Sequence, residues 1–490
     1  MIYFGDIHNH NGLGYGKGSL ERSIEIARSH LDFFAFTGHS SWHDMPTMEG
    51  GREQHWIDGF ARFSRAWSDV RRLTAEANRR DEFVALLGFE WHSSAFGDQC
   101  ILFPDDNDSW VRPDHIEGLR AFARERNALM IPHHLSYPTG HRGVNWDVFT
   151  EECTPVVEIY SEHGSAEDDR GPYAYFNHSL GPRVTANTVE AALKYGRRFG
   201  FTASSDSHRG FPGAWDEGVT GVHADELSRA GIADAIRSRR TYALTGDRIE
   251  INFEVDGAPM GASLDQVDDV EATFTVKAPD ALDVVEIVQD GRVVHRAWPG
   301  DSGPIDRQWL VRVEWGWGPW ADMALDRIAD WRFDIRLKNG EIENIYPCFR
   351  SGPFDENRRH HVVLEDLGHV SVRSYSGRRG AYRGNPNHSV ILAIEADPTA
   401  RIELDVQDPG DTYVSFSLED LSQGGRALFT GPYPAECMLV HRPVFSSESQ
   451  LMGRSLLKTG GRQSYAYLRV KQKNGQMAWA SPVFMNHTSR

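Results

Sequence analysis

Gly5-Asp6-Ile7-His8-Asn9-His10 closes the first apolar run of the chain and places two imidazoles two residues apart. On an extended segment, residues two apart face the same side, so His8 and His10 can bind one metal ion. Five later segments also carry histidine or carboxylate side chains, most of them after an apolar run: Phe36-Thr37-Gly38-His39, Gly88-Phe89-Glu90-Trp91-His92, Ile131-Pro132-His133-His134, Glu158 through His163, and Ser205-Asp206-Ser207-His208. The carboxyl ends of strands in a βα barrel share one face. The recurrence therefore predicts a multinuclear metal hydrolase.

Strand and helix patterns alternate over roughly the first 245 residues. Apolar runs typical of strands lie at 2–7, 33–36, 83–89, 129–131, 156–160 and 201–204. A helix is predicted from Ser19, which is a suitable N-cap residue. A second helix is indicated by the apolar stripe from Trp56 to Leu73, and others are predicted at 189–198 and 231–240. This alternation favours an α/β fold with a largely parallel sheet, most simply a barrel.

The pattern changes after Asp247, where short alternating apolar and polar runs are broken by Gly, Asp and Asn. The step Asn474-Gly475 predicts a hairpin, and Asp290-Gly291 and Asn339-Gly340 give similar signals. We therefore predict two domains: an α/β domain over 1–247 and an all-β, sandwich-like region over 248–490.

Composition restricts the partners of this protein. Its formal net charge of −18 repels nucleic acid and anionic membranes. A small anionic substrate is still compatible with this charge, because bound cations can dominate the local field. The N-terminal residues show no export signal, and no apolar run is long enough to span a bilayer. The four scattered cysteines predict buried thiols. We expect a cytoplasmic protein with a small-molecule substrate; the oligomeric state stays open, including a homo-oligomer.

Two further pairs repeat the geometry of the first. Glu90 and His92 stand two residues apart, as do Asp206 and His208. A carboxylate in this position can bridge two ions, as two-metal hydrolases with ions about 3.5–4 Å apart require. Single histidines at strand ends can equally be supporting or surface residues, and this alternative applies to His39, His133, His134 and His163. Glu158 is expected to support a ligand rather than to bind metal.

The segments resemble the PHP (polymerase and histidinol phosphatase) superfamily of metal-dependent hydrolases, and they occur in that family's order. The resemblance implies a distorted (β/α)7 barrel. The C-terminal stretches Tyr467-Leu468-Arg469-Val470-Lys471-Gln472 and Ala478-Trp479-Ala480-Ser481-Pro482 are similar to the large branch of that superfamily. That branch has a β-rich C-terminal extension and includes carbamate hydrolases of the carbaryl hydrolase type.

The resemblance also implies ligand roles for two or three divalent ions (Mn, Zn or Fe). His8, His10, Glu90 and Asp206 would hold the first ion. Glu90 would bridge to a second ion, completed by His133 and either His92 or His163. His39 and His208 match ligands of a third ion.

Two departures leave the third ion open. Gly38 stands where the family usually has Asp, and Lys17 lies where a further histidine often follows. A protonated lysine is no metal ligand, so Lys17 is either a fixed positive charge in the site or an ordinary loop residue.

The predicted chemistry is attack by a metal-activated water on a carbonyl carbon or a phosphorus atom. His134 or His163 could protonate the leaving group, and Arg183 and Arg209 are either anion-binding or surface residues. The full-length resemblance favours a carboxyl-derived bond (ester, carbamate or amide), whereas the barrel alone implies a phosphoester.

A second alternative is a catalytically silent metal-binding or carbohydrate-binding protein. In that case tryptophans of the C-terminal half would stack on sugars, although core positions are the favoured interpretation. These residues are Trp309, Trp315, Trp317, Trp320 and Trp331.

Overall fold

The computed structural model describes residues 1–106, 109–169, 183–265, 269–300, 307–316, 328–377, 386–432 and 435–486. The elements of the first half are β1 (Ile2–Asp6), α1 (Leu20–His30), β2 (Phe33–Trp42), α2 (Glu53–Ala77), β3 (Val84–His92), β4 (Gln99–Phe103), α3 (Ile116–Glu125), β5 (Leu129–Pro132), β6 (Val156–Ser161), β7 (Gly164–Ser165), α4 (Val189–Lys194), β8 (Gly200–Ala203), β9 (Val219–His223), α5 (Arg229–Arg237) and β10 (Thr241–Leu244). Short 3-10 helices lie at Glu49–Gly51 and Thr185–Asn187.

Local sequence explains the ends of these helices. Helix α1 begins after Ser19, whose hydroxyl accepts a hydrogen bond from the Arg22 N–H at 3.2 Å, so the predicted N-cap is confirmed. The apolar stripe of α2 is also confirmed as a core face. Helix α4 ends at Lys194, four residues before the predicted end, because Gly196 adopts a positive φ of 82° and terminates the helix.

The main sheet is mixed. Within the first half of the chain, its strand order is β10-β9-β1-β2-β3-β4-β5. Strands β1, β2 and β3 are parallel, but β4 is antiparallel to β3 and β5, and β9 is antiparallel to β1 and β10. The prediction of a largely parallel sheet is therefore wrong. The connection between β3 and β4 is too short for a crossover, which forces an antiparallel pair.

A smaller sheet continues this arrangement, with β6 between β7 and β8. Strand β6 also lies next to β5, and β8 lies next to β10. The ends of β1, β2, β3, β5, β6 and β8 consequently face one region of the molecule.

The C-terminal half is built almost entirely of strands. Its elements are β11 (Glu250–Val255), β12 (Ala258–Pro259), β13 (Ser263–Asp265), β14 (Asp269–Lys277), β15 (Leu282–Gln289), β16 (Arg292–Ala297), β17 (Gln308–Gly316), β18 (Ala329–Cys348), β19 (His361–Asp366), β20 (His369–Ser376), β21 (His388–Asp408), β22 (Thr412–Ser417), α6 (Leu418–Ser422), β23 (Arg426–Phe429), β24 (Cys437–Val440), β25 (Val444–Phe445), α7 (Ser446–Ser449), β26 (Gln450–Lys458), β27 (Ser464–Gln472), β28 (Met477–Ala480) and β29 (Val483–Asn486).

Two of the three predicted hairpins are confirmed. Asp290-Gly291 joins the antiparallel strands β15 and β16, and Asn474-Gly475 joins β27 and β28. The prediction at Asn339-Gly340 is wrong, because both residues lie inside the long strand β18. Asn339 has a positive φ of 64°, and the register with β21 shifts there. The Asn-Gly step therefore forms a β-bulge within the strand and not a hairpin turn.

The two predicted domains share a sheet and a core. Tyr242 of β10 pairs with Ala480 of β28, which joins the C-terminal strands to the N-terminal sheet. A single apolar cluster contains Leu244 together with Leu468 and other residues of the C-terminal half. The predicted domain boundary after residue 247 therefore lies between segments that share one sheet and one core.

Three of the five tryptophans considered as sugar-stacking residues belong to the core of the C-terminal half. Trp309, Trp315 and Trp331 are buried, and their indole N–H groups donate to Ala396 O, Ser374 Oγ and Ser376 Oγ respectively. The core prediction is confirmed for these three, whereas Trp317 and Trp320 lie outside the described residues.

All four cysteines are buried free thiols, as predicted. Across the described ranges, no helix combines the length and the apolar character that a transmembrane segment needs.

Candidate metal centre

Nine predicted metal ligands come together at the strand ends. They follow β1, lie in β2 and β3, or follow β5, β6 and β8, and all but His208 are buried: His8, His10, His39, Glu90, His92, His133, His163, Asp206 and His208. The side chain of His208 is 34% exposed, so the centre meets solvent on its side.

Glu90 lies between two groups of imidazoles. Its Oε1 atom is 2.8 Å from His133 Nε2 and 3.2 Å from His92 Nδ1. Its Oε2 atom is 3.4 Å from His10 Nε2 and 3.3 Å from His39 Nε2. Each carboxylate oxygen therefore faces a different pair of nitrogen donors, which is the arrangement that a metal-bridging carboxylate needs.

Asp206 is the second carboxylate that contacts several imidazoles. Its Oδ1 atom lies 3.0 Å from His10 Nε2 and 3.3 Å from His8 Nε2, and its Oδ2 atom lies 2.8 Å from His163 Nε2. Of the two alternatives for the second ion, His92 therefore contacts Glu90, whereas His163 contacts Asp206. The two carboxylates share His10, and each of them contacts further nitrogen atoms of its own.

Several buried polar atoms of this cluster lack a hydrogen-bond partner among the described residues. They include Glu90 Oε2, His10 Nδ1 and His39 Nδ1. Leaving such atoms unsatisfied is costly in a buried site. Triplets of donor atoms that lie within 4.8 Å of one another include His8/His10/Asp206, His39/Glu90/His92 and His10/His39/His208. These residues fit divalent cations, which would satisfy Glu90 Oε2.

Burial sets the charge states of the cluster. It raises the pKa of Glu90 well above its usual value and lowers the pKa values of His10, His39 and His133 well below theirs. Burial opposes ionisation of Asp206, but His8, His10 and His163 hold the pKa of that carboxyl well below its usual range. Neutral imidazoles and an ionised carboxylate are the forms that bind metal.

Supporting carboxylates orient the first histidine pair. His8 Nδ1 lies 2.9 Å from Glu158 Oε2, so the ring donates to this carboxylate and turns Nε2 toward Asp206. Glu158 is a supporting residue, as predicted, and burial raises its pKa to about 7. Asp6 ties the two chain segments together, because its carboxylate accepts from the His8 N–H at 3.0 Å and from the Ser205 hydroxyl at 2.5 Å.

Asp98 and Arg142 belong to the cluster although the sequence analysis did not identify them. Both side chains are buried, and Arg142 Nε donates to Asp98 Oδ2 at 2.6 Å. The guanidinium also donates to His92 Nδ1 at 2.9 Å. Asp98 precedes its apolar run instead of following it, and Arg142 lies in a loop. Neither position carries the strand-end signal that identified the other residues.

Two of the three predicted catalytic residues, His134 and His163, have their side chains near the carboxylates of the cluster. His134 Nε2 lies 3.8 Å from Asp206 Oδ2 and 3.9 Å from Asp98 Oδ2, and His163 contacts Asp206. The Lys17 backbone N–H donates to His208 O at 2.8 Å, whereas its exposed side chain reaches Phe354, with the ammonium 5.8 Å from the ring centroid. The cation adjoining the ligands is Arg142 instead.

The two arginines considered as anion-binding residues make contacts elsewhere. Arg183 donates to Ser165 O and Asp168 O, and Arg209 donates to Ser351 Oγ.

Packing explains the glycine at position 38. A Cβ atom there would lie 2.4 Å from the Phe63 ring and 2.8 Å from Phe36, so an aspartate has no space. The adjoining His39 ring is instead stacked between His10 and Tyr15, with centroid distances of 3.8 and 3.5 Å. Aromatic stacking thus fixes His39 in the absence of an acidic neighbour.

Comparisons with known proteins give no activity for this chain. No family model matches it. An uncharacterised protein of Chlamydia pneumoniae is 27% identical over 266 residues, which cover 50% of this chain and 42% of that protein. An uncharacterised protein of Chlamydia trachomatis is 27% identical over 224 residues (40% of this chain, 34% of that protein), and one of Chlamydia muridarum is 24% identical over 265 residues (47% and 40%). The chain thus spans less than half the length of these relatives.

A solved structure described as AvmM, which catalyses macrocyclisation in alchivemycin A biosynthesis, covers 34% of this chain and 87% of its own. It has a TM-score of 0.06 and 11% identity, and this likeness carries no argument. The chemistry must be argued from the site itself.

Proposed function

We propose that this protein is a metal-dependent hydrolase of the PHP type that cleaves a carboxyl-derived bond (ester, carbamate or amide) of a small molecule. The observation that carries the proposal is Glu90, whose two oxygens face separate pairs of imidazole nitrogens. Such a carboxylate is suited to two ions in one site. The strands around it would form a distorted barrel of the (β/α)7 type over residues 1–247, in which β4 and β9 run antiparallel to their neighbours. The β-rich region over 248–490 would be its extension, joined to it through the pairing of β10 with β28.

The residues have separate roles in this mechanism. His8, His10, Glu90 and Asp206 would hold one ion, and Glu90 with His133 would hold a second. Bound divalent cations supply a Lewis acid and a water with a near-neutral pKa. Glu158 accepts the proton at His8 Nδ1 and so would orient the ring with Nε2 toward the ions. His134 or His163 donates a proton to the leaving group.

The proposal includes a third ion and a cytoplasmic location. His39 and His208 adjoin His10 and could hold a third cation of the Mn, Zn or Fe class. A cytoplasmic location agrees with four buried free thiols, which are typical of reducing compartments.

The test compares three substrates after the protein has been stripped of metal and reloaded with Mn²⁺, Zn²⁺ or Fe²⁺. An aryl acetate and an aryl N-methylcarbamate should be hydrolysed in a metal-dependent manner, and p-nitrophenyl phosphate should be a poorer substrate. Faster phosphate release would instead support the alternative, a PHP-type phosphoesterase, which the resemblance of the barrel segments favours. Full activity of the stripped protein would contradict both.

Elemental analysis addresses the catalytically silent alternative. We expect two or three divalent ions per chain after reconstitution, as the ligand set implies. Fewer than one ion per chain would contradict the hydrolase proposal.

A further inference from the structure

A basic groove lies on the face where α4 meets the C-terminal half. It is a cavity of about 800 Å³ between the residues after α4, the β15–β16 hairpin and the loop from β26 to β27. It shares no residue with the metal centre. Six of its lining residues are cationic: Lys194, Arg197, Arg198, Arg292, Lys458 and Arg462.

This concentration of positive charge contrasts with the formal net charge of −18 for the whole protein. Among the described residues that line the groove, Asp290 is the one acidic side chain. Its carboxylate is already used, because it accepts from the Ser464 hydroxyl at 2.9 Å and from the Tyr465 N–H at 3.0 Å. The groove therefore presents a positive field that its own lining does not neutralise.

Among the described residues, most of these cations have no acidic partner. Lys194 pairs with Glu190, and Arg198 donates to Asn486 Oδ1. Within the described part of the chain, no ion pair involves the remaining four cations, which are Arg197, Arg292, Lys458 and Arg462. They come from three separate segments that converge on one cavity.

Two buried donors in the groove also have no acceptor in the described part of the chain. Tyr465 lines the groove and is only 6% exposed, yet its hydroxyl has no hydrogen-bond partner among the described residues. The same holds for the buried Nε atom of Arg197. A buried donor left unsatisfied is costly, and an oxygen atom of an anionic ligand would satisfy both.

We propose that the basic groove binds a small ligand that carries two or more anionic groups, either phosphates or carboxylates. The cavity volume falls within the range of small-molecule sites, about 300–1,000 Å³. Several separated cations match several negative groups better than one. Nucleic acid is disfavoured, because the net charge of −18 of the whole protein repels a long phosphate backbone. The Tyr195 ring, 76% exposed, provides an apolar contact for the rest of the ligand.

Isothermal titration of the full-length protein with inorganic tripolyphosphate and with citrate tests this proposal. At least one of the two should bind with one site per chain, and the tighter of them identifies phosphate or carboxylate as the preferred group. Both anions chelate metals, so the metal content of the protein is measured before and after titration. Binding of neither anion would overturn the proposal.

Variants then locate the site. The double variant Arg292→Glu/Arg462→Glu should weaken binding at least about tenfold, because two charge-assisted contacts are lost. The matched control Arg332→Glu/Lys338→Glu makes the same change of net charge on β18, away from the groove. Equal weakening by both pairs would overturn the proposal, since it would show a long-range charge effect.

Tyr465→Phe removes the buried hydroxyl without changing any charge. We expect binding to weaken by roughly twofold to tenfold, as for the loss of one hydrogen bond. The Tm of the ligand-free protein should stay the same or rise, because the hydroxyl has no partner among the described residues. Unaltered affinity in both Tyr465→Phe and the arginine double variant would place the anion elsewhere. None of these readouts depends on hydrolysis, so their outcome is separate from that of the proposed enzyme activity.

Discussion

At the residue scale, the candidate centre depends on two carboxylates and their surroundings. Asp206 touches His8, His10 and His163, while Glu90 touches His10, His39, His92 and His133. Such a concentration of buried donors is unfavourable without a cation, because each imidazole and carboxylate has lost its water. This cost supports the proposal that the cluster binds cations.

Asp206→Ala should abolish turnover and lower the amount of bound metal, since it removes the acceptor shared by three imidazoles. Elemental analysis and the hydrolysis assay measure the two effects. Asp105→Ala, at an exposed position, is the matched control and should change neither. Retention of both metal and activity by the Asp206 variant would show that this carboxylate is not a ligand.

Glu158→Gln should weaken metal binding or activity by about 10–100-fold while the protein still folds. The amide can no longer fix the His8 tautomer by accepting its proton as a carboxylate does. Competition with a chelator measures the affinity. An affinity equal to that of the wild type would mean that Glu158 only fills space.

At the element scale, apolar runs predicted the positions of strands more reliably than turn dipeptides predicted hairpins. The apolar run at 33–36 lies within β2, and the run at 156–160 lies within β6. The run at 83–89 begins one residue before β3 and continues into that strand. Asn339-Gly340 shows the limit of a local signal, because pairing with β21 on both sides keeps β18 continuous. The long ladder between these strands outweighs the preference of a dipeptide for a turn.

A buried histidine at the start of β21 gives a pH prediction. The pKa of His388 is lowered to about 3 by burial and by the nearby Arg350. Its Nδ1 atom accepts the Arg350 N–H at 3.1 Å, which requires the unprotonated nitrogen. Because the unfolded chain takes up this proton near pH 6.5, stability should fall below that pH, by roughly 2 kcal/mol between pH 7 and pH 5.

The comparison of wild type with His388→Asn isolates this contribution, since asparagine keeps an acceptor but does not titrate. The variant should show a shallower decline of Tm on acidification. His361→Asn, at an exposed ring, is the control and should follow the wild type. Identical declines for wild type and the His388 variant would contradict the assignment.

At the scale of the whole molecule, the two halves are one folded unit. Strand β28 pairs with β10 and joins the sheet that carries the candidate metal ligands. Trp479 of β28 also donates to Glu167 Oε2 at 2.9 Å, close to the end of β7. The C-terminal strands therefore help to position the centre.

A protein that ends after Asp247 should not fold. Its strand β10 would lose its partner β28, and the apolar cluster around Tyr242 and Leu244 would be exposed. Circular dichroism and calorimetry should show no cooperative transition. A cooperative transition in residues 1–247 alone would demonstrate an autonomous first domain.

Asp247 itself should be a strong stability determinant. Its buried carboxylate accepts from Trp215, Arg312, Gln472 and Asn474, at distances of 2.6–3.1 Å. Asp247→Asn leaves the Arg312 guanidinium poorly paired and should cost about 3–5 kcal/mol. Asp283→Asn breaks the exposed pair with Lys471 and should cost about 0–1 kcal/mol. Equal Tm values for the two variants would refute the role of Asp247.

The sequence by itself determined which strand ends carry metal-binding side chains, because the alternation of apolar runs and polar ends is a local property. All nine predicted ligands meet in the structure for that reason. The hairpins at Asp290-Gly291 and Asn474-Gly475 were predictable on the same grounds.

Only the tertiary structure decided the mixed strand order, the shared sheet, and the recruitment of Asp98 and Arg142. These two residues are separated by 44 positions and meet because a loop returns over the site. Local periodicity does not encode such a path, since it depends on how distant segments pack.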